Sequence, residues 1–278
     1  MAVTPLPSGA KSRIMRQRSR TRLSAHRAEI GSIRKKTCWL WSSGVFTLSY
    51  MEVSASQGNC SVLTWSRALA AAGLSDMVWG HASLRDPQGR GVWMKASGWG
   101  FEEIDADRVV LVTPDGEVLD GEGKRHIEYP IHTEIMNARP GVGCVVHTHA
   151  PALAAFASLD QPLRPISHDA VPFHDLPRFT VTGALIATPE LGRALGETLG
   201  AANAVLMPRH GAVTAGPDPA AAVMYAVLLE RACRTQLMAM AAGGPRIWSD
   251  EAETAFKNEQ VWNPAQLEAG YRYLTRKT

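Results

Sequence analysis

Organised alternation of apolar and polar positions begins only after Met51. Residues 62–73 read as a small-residue amphipathic helix stopped by Gly73. Residues 91–96 and 109–113 read as short strands, with turns at Asp86-Pro87-Gln88-Gly89 and Pro114-Asp115-Gly116. A helix-like stretch over 131–138 is followed by an apolar strand over 144–148, and Pro151 then opens a helix over 152–158. Thr188-Pro189-Glu190 carries a cap, a proline at the first position and an early acid, so it opens another helix. Residues 204–207 form a buried strand, and Pro208-Arg209-His210-Gly211 turns into a second strand from Ala212. Asp218-Pro219 starts a long helix running to about Gly243, and the polar tail from Trp248 finishes in a surface helix. No period repeats, and helices mix with strands in no strict βαβ order. That order predicts an α/β sandwich-like domain rather than a doubly wound sheet.

Composition sharpens this picture mainly through charge. The 278 residues are 45% hydrophobic and 20% charged, enough for a large core. The net charge of +3 is unevenly spread: residues 1–50 hold ten Lys/Arg against one acid, Glu29, while the rest carries a surplus of six acids. An acidic body disfavours nucleic acid as a partner. Residues 1–36 have no sustained apolar period and are expected to be disordered. Residues 38–51 form an apolar run that resembles a signal-peptide core, yet it contains three serines and a glycine and is too short to span a bilayer. A leader, a functional basic arm and sequence upstream of a true start at Met51 all compete here. The last is preferred, so residues 1–50 are set apart as a basic extension and 51–278 as the working domain. Cys38, Cys60, Cys144 and Cys233 have no short spacing, which argues against a disulfide framework and for a reducing, cytoplasmic compartment.

Six of the nine histidines lie between His126 and His174. In a strand ending at Thr148, alternation puts His147 and His149 on one face, a usable chelate for a divalent ion. His210, on a tight turn beside Gly211, is the best candidate for a third ligand. Three imidazoles with an open position suit a catalytic ion: zinc fits, and manganese or iron(II) remain open because availability often decides. The plainer alternative makes the pair half-buried strand residues and His210 an ordinary turn residue. Cys144 alternates to the opposite face and belongs to the core. Spacing does not rank His132, His168 and His174. Glu128, before the helix-like stretch, is a candidate ligand or proton shuttle, although sequence alone prefers a solvated surface glutamate.

Taken in order, Gly80-His81-Ala82-Ser83, Ser97-Gly98, Glu128, His147-Thr148-His149 and Arg209-His210-Gly211 resemble the class II aldolase/adducin family over residues 61–243. Nineteen residues separate Glu128 from His147, and sixty-three separate His147 from His210, similar to the fuculose-phosphate aldolase branch. The resemblance implies a three-layer α/β/α domain with a central, mainly antiparallel sheet. It implies one divalent metal ion on His147, His149 and His210, Glu128 as acid/base, and a homo-tetramer or other homo-oligomer. Departures bear on substrate. His81 stands where the aldolases have a phosphate-binding Asn, and His126 and Ile127 stand where they have two serines, which removes donors suited to a phosphate dianion. His168 matches the position of their catalytic tyrosine. A GH-type loop is similar to the decarboxylase branch acting on hydroxylated aromatic dicarboxylates. That likeness implies a small carboxylate substrate and carbon–carbon lyase chemistry. Glu128 or His168 would be the general acid, with His81, Ser83, Ser97, Gly98, Arg125 and His126 around the substrate. Aldol cleavage of a keto sugar and a non-catalytic adducin-like interaction domain are the rival expectations.

Overall fold

The computed structural model describes residues 55–276, with side chains from residue 61 onward; the expectations for residues 1–50 lie outside the described residues. Seven strands form one sheet in the order β4-β3-β2-β1-β5-β7-β6. They are β1 (His81–Arg85), β2 (Val92–Lys95), β3 (Val109–Val112), β4 (Val118–Asp120), β5 (Cys144–Thr148), β6 (Ala204–Met207) and β7 (Gly211–Gly216). Each neighbouring pair is antiparallel, and one isolated parallel bridge joins Arg178 to Leu206. The helices are α1 (Ala55–Ala71), α2 (Tyr129–Ala138), α3 (Pro151–Ala157), α4 (Pro189–Leu199), α5 (Pro219–Ala241), α6 (Glu251–Val261) and α7 (Pro264–Thr275).

Both faces of the sheet's central part are covered, which is why β3, β5 and β6 read as apolar runs. Val109 and Leu111 of β3, Cys144 and Val146 of β5, and Ala204 and Leu206 of β6 join a core with α1, α3, α5 and α7. Their alternating neighbours Val110, Val112, Val145, Val205 and Met207 join a second core with α2 and α4. The result is the expected three-layer α/β/α domain with a mainly antiparallel sheet.

Local punctuation follows the sequence closely. Gly73 adopts φ 76° after α1, and Leu74 N–H returns to Leu69 O at 3.0 Å, closing the helix end. Thr188 and Asp218 cap α4 and α5 as expected, through Leu191 N–H and Ala221 N–H. Several elements differ from expectation: β4 and α6 were not expected, and β1 and α7 bear on the core and the site. β1 alternates polar and apolar positions but is short and has no β-branched or aromatic residue, and it is pairing with β2 and β5 that makes it a strand. The tail is more than a polar surface segment: Leu267 and Leu274, both buried on α7, close the core against α1 and α5.

Candidate metal centre

The chemistry-bearing residues meet at one end of the three central strands. His81, at the start of β1, lies directly opposite His147 near the end of β5. His149 follows β5 immediately, and His210 sits on the turn between β6 and β7. The turn bends at Arg209, which takes φ 65°; Gly211 serves a different need from the bend expected of it. A Cβ at Gly211 would lie 2.4 Å from Thr148 O and 2.9 Å from His149 Cδ2, so glycine lets the two strands close and brings His210 to the histidine pair.

Glu128 precedes α2, yet its carboxylate does not cap that helix. Oε1 accepts Ile186 N–H at 2.7 Å and lies 3.6 Å from His210 Nε2. Oε2 lies 3.6 Å from His81 Nε2 and 3.8 Å from His147 Nε2. The side chain is buried, so the solvated surface reading is overturned. Burial alone would raise its pKa, but the imidazoles of His210 and His81 facing it prevail and hold it below the usual carboxylate range.

One ligand atom from each of Glu128, His147, His149 and His210 lies within 4.8 Å of the others, a convergence that fits a divalent ion. The outer nitrogens support the same assignment. His147 Nδ1 is 3.0 Å from Ala212 O, and His149 Nδ1 is 2.6 Å from Asp76 Oδ2. Both acceptors require N–H on Nδ1, which leaves the two Nε2 lone pairs facing each other at 2.9 Å. Two acceptors that close repel unless a cation lies between them, and outer-partner acceptors of this kind are what orient metal-bound histidines. Burial pushes the His147 pKa well below its ordinary value, so the ring is neutral and ready to ligate.

A pocket of about 640 Å³ opens over this cluster. His81, Glu128, His149 and His210 lie at its base, and Trp79, Ile127 and Leu185 form an apolar mouth. Ser97 and Gly98, the latter with φ 92°, line one side. Arg125 also lines it, with Nε donated to Gly116 O at 2.6 Å and the guanidinium 4.3 Å over the Tyr129 ring.

Not every expected residue joins the pocket. Ser83 is fully buried, with its hydroxyl 2.7 Å from His132 Nδ1, so it meets another side chain rather than substrate. His126 lines the pocket but is not a cation: burial first, and then the charge of Lys95, lower its pKa to about 3, and its Nε2 lies 3.2 Å from Lys95 Nζ. His168 is exposed on a short 3-10 turn, where its carbonyl accepts Trp262 Nε1–H at 2.6 Å, and the chain does not bring it to the pocket. His174 is exposed beside Asp175.

Three contributors were not singled out from sequence. Asp76 acts across 73 residues, Lys95 is buried beneath His126, and the Ile186 N–H reaches Glu128 from a loop. None belongs to a local motif, so only the folded chain reveals them.

The family profile described as Class II Aldolase and Adducin N-terminal domain matches residues 60–237. Over 173 residues the chain is 33% identical to "4-hydroxy-3-prenylphenylpyruvate oxygenase/4-hydroxy-3-prenylbenzoate synthase" of Streptomyces roseochromogenus subsp. oscitans, covering 61% of this chain and 62% of that protein. It is 32% identical over 174 residues to "Decarboxylase NovR" of Streptomyces niveus, covering 61% and 64%. The chain thus spans less than two thirds of the length of these two relatives. Among solved structures, L-fuculose 1-phosphate aldolase from Glaciozyma antarctica PI12 shares the fold, with a TM-score of 0.71 at 24% identity over 85% of this chain and 93% of that one.

Proposed function

The chain belongs to the Class II Aldolase and Adducin N-terminal domain family, and on that premise we propose that it is a divalent-metal-dependent carbon–carbon lyase. Its reaction is decarboxylation of a hydroxylated aromatic dicarboxylate of the 3,4-dihydroxyphthalate kind. One observation carries this reading: the Nε2 atoms of His147, His149 and His210 and the Glu128 carboxylate converge beneath a pocket whose mouth is apolar. A divalent ion held there supplies Lewis acidity toward a phenolic oxygen and its neighbouring carboxylate.

The remaining work falls to the chain's own side chains. Glu128, ionised at rest, accepts the phenolic proton as substrate enters. The bond from ring carbon to carboxylate then breaks, CO2 leaves, and the electron pair stays with the ring. Glu128 returns its proton to that carbon, and solvent reprotonates the phenolate on release. Arg125 and His81 hold the second carboxylate, the arginine as a cation and His81 as a neutral donor. Trp79, Ile127 and Leu185 cover the ring. Ile127, 57% exposed at the mouth, suits an arene better than a phosphate dianion.

The Ser97-Gly98 turn on the pocket wall favours a second reading, aldol cleavage of a ketose phosphate or related keto sugar. A non-catalytic adducin-like interaction domain is the third, and it has no need of four converging ligands. Exposed Met77, Trp79, Ile127 and Val181 support assembly into a homo-tetramer or other homo-oligomer, since such side chains are commonly covered by a partner. Free, buried Cys144 and Cys233 support a cytoplasmic location. No described helix is long and apolar enough to cross a membrane. The deciding experiment follows CO2 release from 3,4-dihydroxyphthalate beside aldehyde release from fuculose 1-phosphate. Aldehyde without CO2 would sink the decarboxylase reading.

A further inference from the structure

Beneath the pocket, three side chains form a buried line that the metal centre does not use. His81 Nδ1 lies 2.7 Å from His132 Nε2, and His132 Nδ1 lies 2.7 Å from Ser83 Oγ. His81 and Ser83 are two residues apart on β1 and therefore share a face, and α2 lays His132 over both. His132 and Ser83 are fully buried, and His81 is 1% exposed. At its other end the line meets Glu128, whose Oε2 is 3.6 Å from His81 Nε2.

Geometry restricts where the protons sit. Each 2.7 Å contact needs one donor and one acceptor, and a neutral imidazole carries a single N–H. Both rings are buried and neither has a carboxylate within hydrogen-bond reach to pair an added proton, so each is neutral. Two arrangements remain. In the first, Ser83 O–H donates to His132 Nδ1, His132 Nε2–H donates to His81 Nδ1, and His81 Nε2–H faces Glu128. In the second every direction reverses, and the His81 Nε2 lone pair points at the lone pairs of Glu128 Oε2. The first turns that repulsion into attraction. The Val145 carbonyl, which also faces the His132 ring, is a neutral competitor and weaker than the Glu128 anion.

We propose that His132 and Ser83 are positioning residues: through this chain they hold His81 as its Nε2–H tautomer, so that the ring meets a substrate carboxylate as a hydrogen-bond donor. The last clause rests on the carboxylate reading above. The tautomer itself does not. At 3.6 Å the contact with Glu128 is too long to be a hydrogen bond, which leaves the His81 N–H free for a ligand in the pocket.

The test uses the full chain loaded with zinc and labelled with 15N-histidine, the His81 signals being those lost in His81→Asn. In the wild type, His81 Nδ1 should carry no proton. His132→Leu should redistribute that tautomer and weaken binding of phthalate, a non-reacting dicarboxylate, about tenfold, as expected for a lost hydrogen bond to a charged group. His132→Gln, whose amide replaces the Nε2–H donor, should restore both readouts. Ser83→Ala, the gentler change, should shift the tautomer in the same direction and by less. A proton on His81 Nδ1 in the wild type, or a His81 tautomer indifferent to both His132→Leu and Ser83→Ala, overturns the assignment. If the tautomer follows expectation while phthalate binds equally to every variant, the positioning chain stands and the carboxylate reading fails.

Discussion

Asp76 Oδ2 lies 2.6 Å from His149 Nδ1, which makes a carboxylate on the loop before β1 the outer partner of a candidate metal ligand that follows β5 at the same end of the sheet. The contact sets the His149 tautomer and turns Nε2 inward. Asp76→Asn should therefore lower divalent-metal affinity about 10- to 100-fold without unfolding the domain. Competition against a chelator, read beside circular dichroism, measures both. Unchanged affinity would mean that His149 is oriented by its backbone alone.

Purified protein should hold about one divalent ion per chain by elemental analysis, as one three-histidine site implies. His149→Ala should lose both the ion and turnover. A chain without metal that tolerates this change would favour the adducin-like interaction domain.

Glu128→Gln separates holding from proton transfer. The amide oxygen can still accept Ile186 N–H, so the loop contact seen at 2.7 Å survives. Metal content should stay near that of the wild type, while kcat falls by about 10²- to 10⁴-fold, the usual share of a general acid/base. Loss of the ion together with kcat would instead make Glu128 chiefly a ligand.

Lys95 is fully buried, its ammonium donating to Val78 O at 3.0 Å and Trp99 O at 2.6 Å. Burial pushes its pKa down to about 8, against the opposing pull of Glu102 and Glu103. The folded chain thus releases this proton near pH 8, and the unfolded chain does so nearer the ordinary lysine value. Between those limits the unfolded state binds more protons, so stability rises with pH. Relative to Lys95→Met, the wild type should gain up to about 3 kcal/mol from pH 8 to 10.5 in urea unfolding. A pH-independent difference would show that Lys95 keeps its proton throughout.

Much of the layered fold can be read along the chain because the signals are local. Gly73, Thr188 and Asp218 each act within a turn or two of themselves, and the apolar runs in β3, β5 and β6 reflect burial on both faces. β1 escaped because its alternation covers only five residues, none of them β-branched or aromatic. Only the pairing of Leu84 with Trp93 and Cys144 decides its conformation. α7 escaped in part for the same reason, since Leu267 and Leu274 look isolated until α1 and α5 are beside them.

The site divides along the same line. His147 and His149 are two residues apart at the end of one strand, so alternation carried one residue past it puts them together, and the ordered motifs around Glu128 and His210 mark the remaining ligands. What sequence cannot carry is the state and direction of each group. Ser83 looked like a substrate contact and His126 like a cation or donor at the pocket; burial makes the first a partner of His132 and leaves the second in the pocket wall as a neutral ring over Lys95. Glu128 looked solvated; four elements converging at one sheet end bury it among imidazoles and keep it ionised. Residue types and spacing thus determined which donors this protein owns. Tertiary structure decided their protonation and aim, because desolvation and hydrogen-bond direction depend on neighbours that lie far away along the chain.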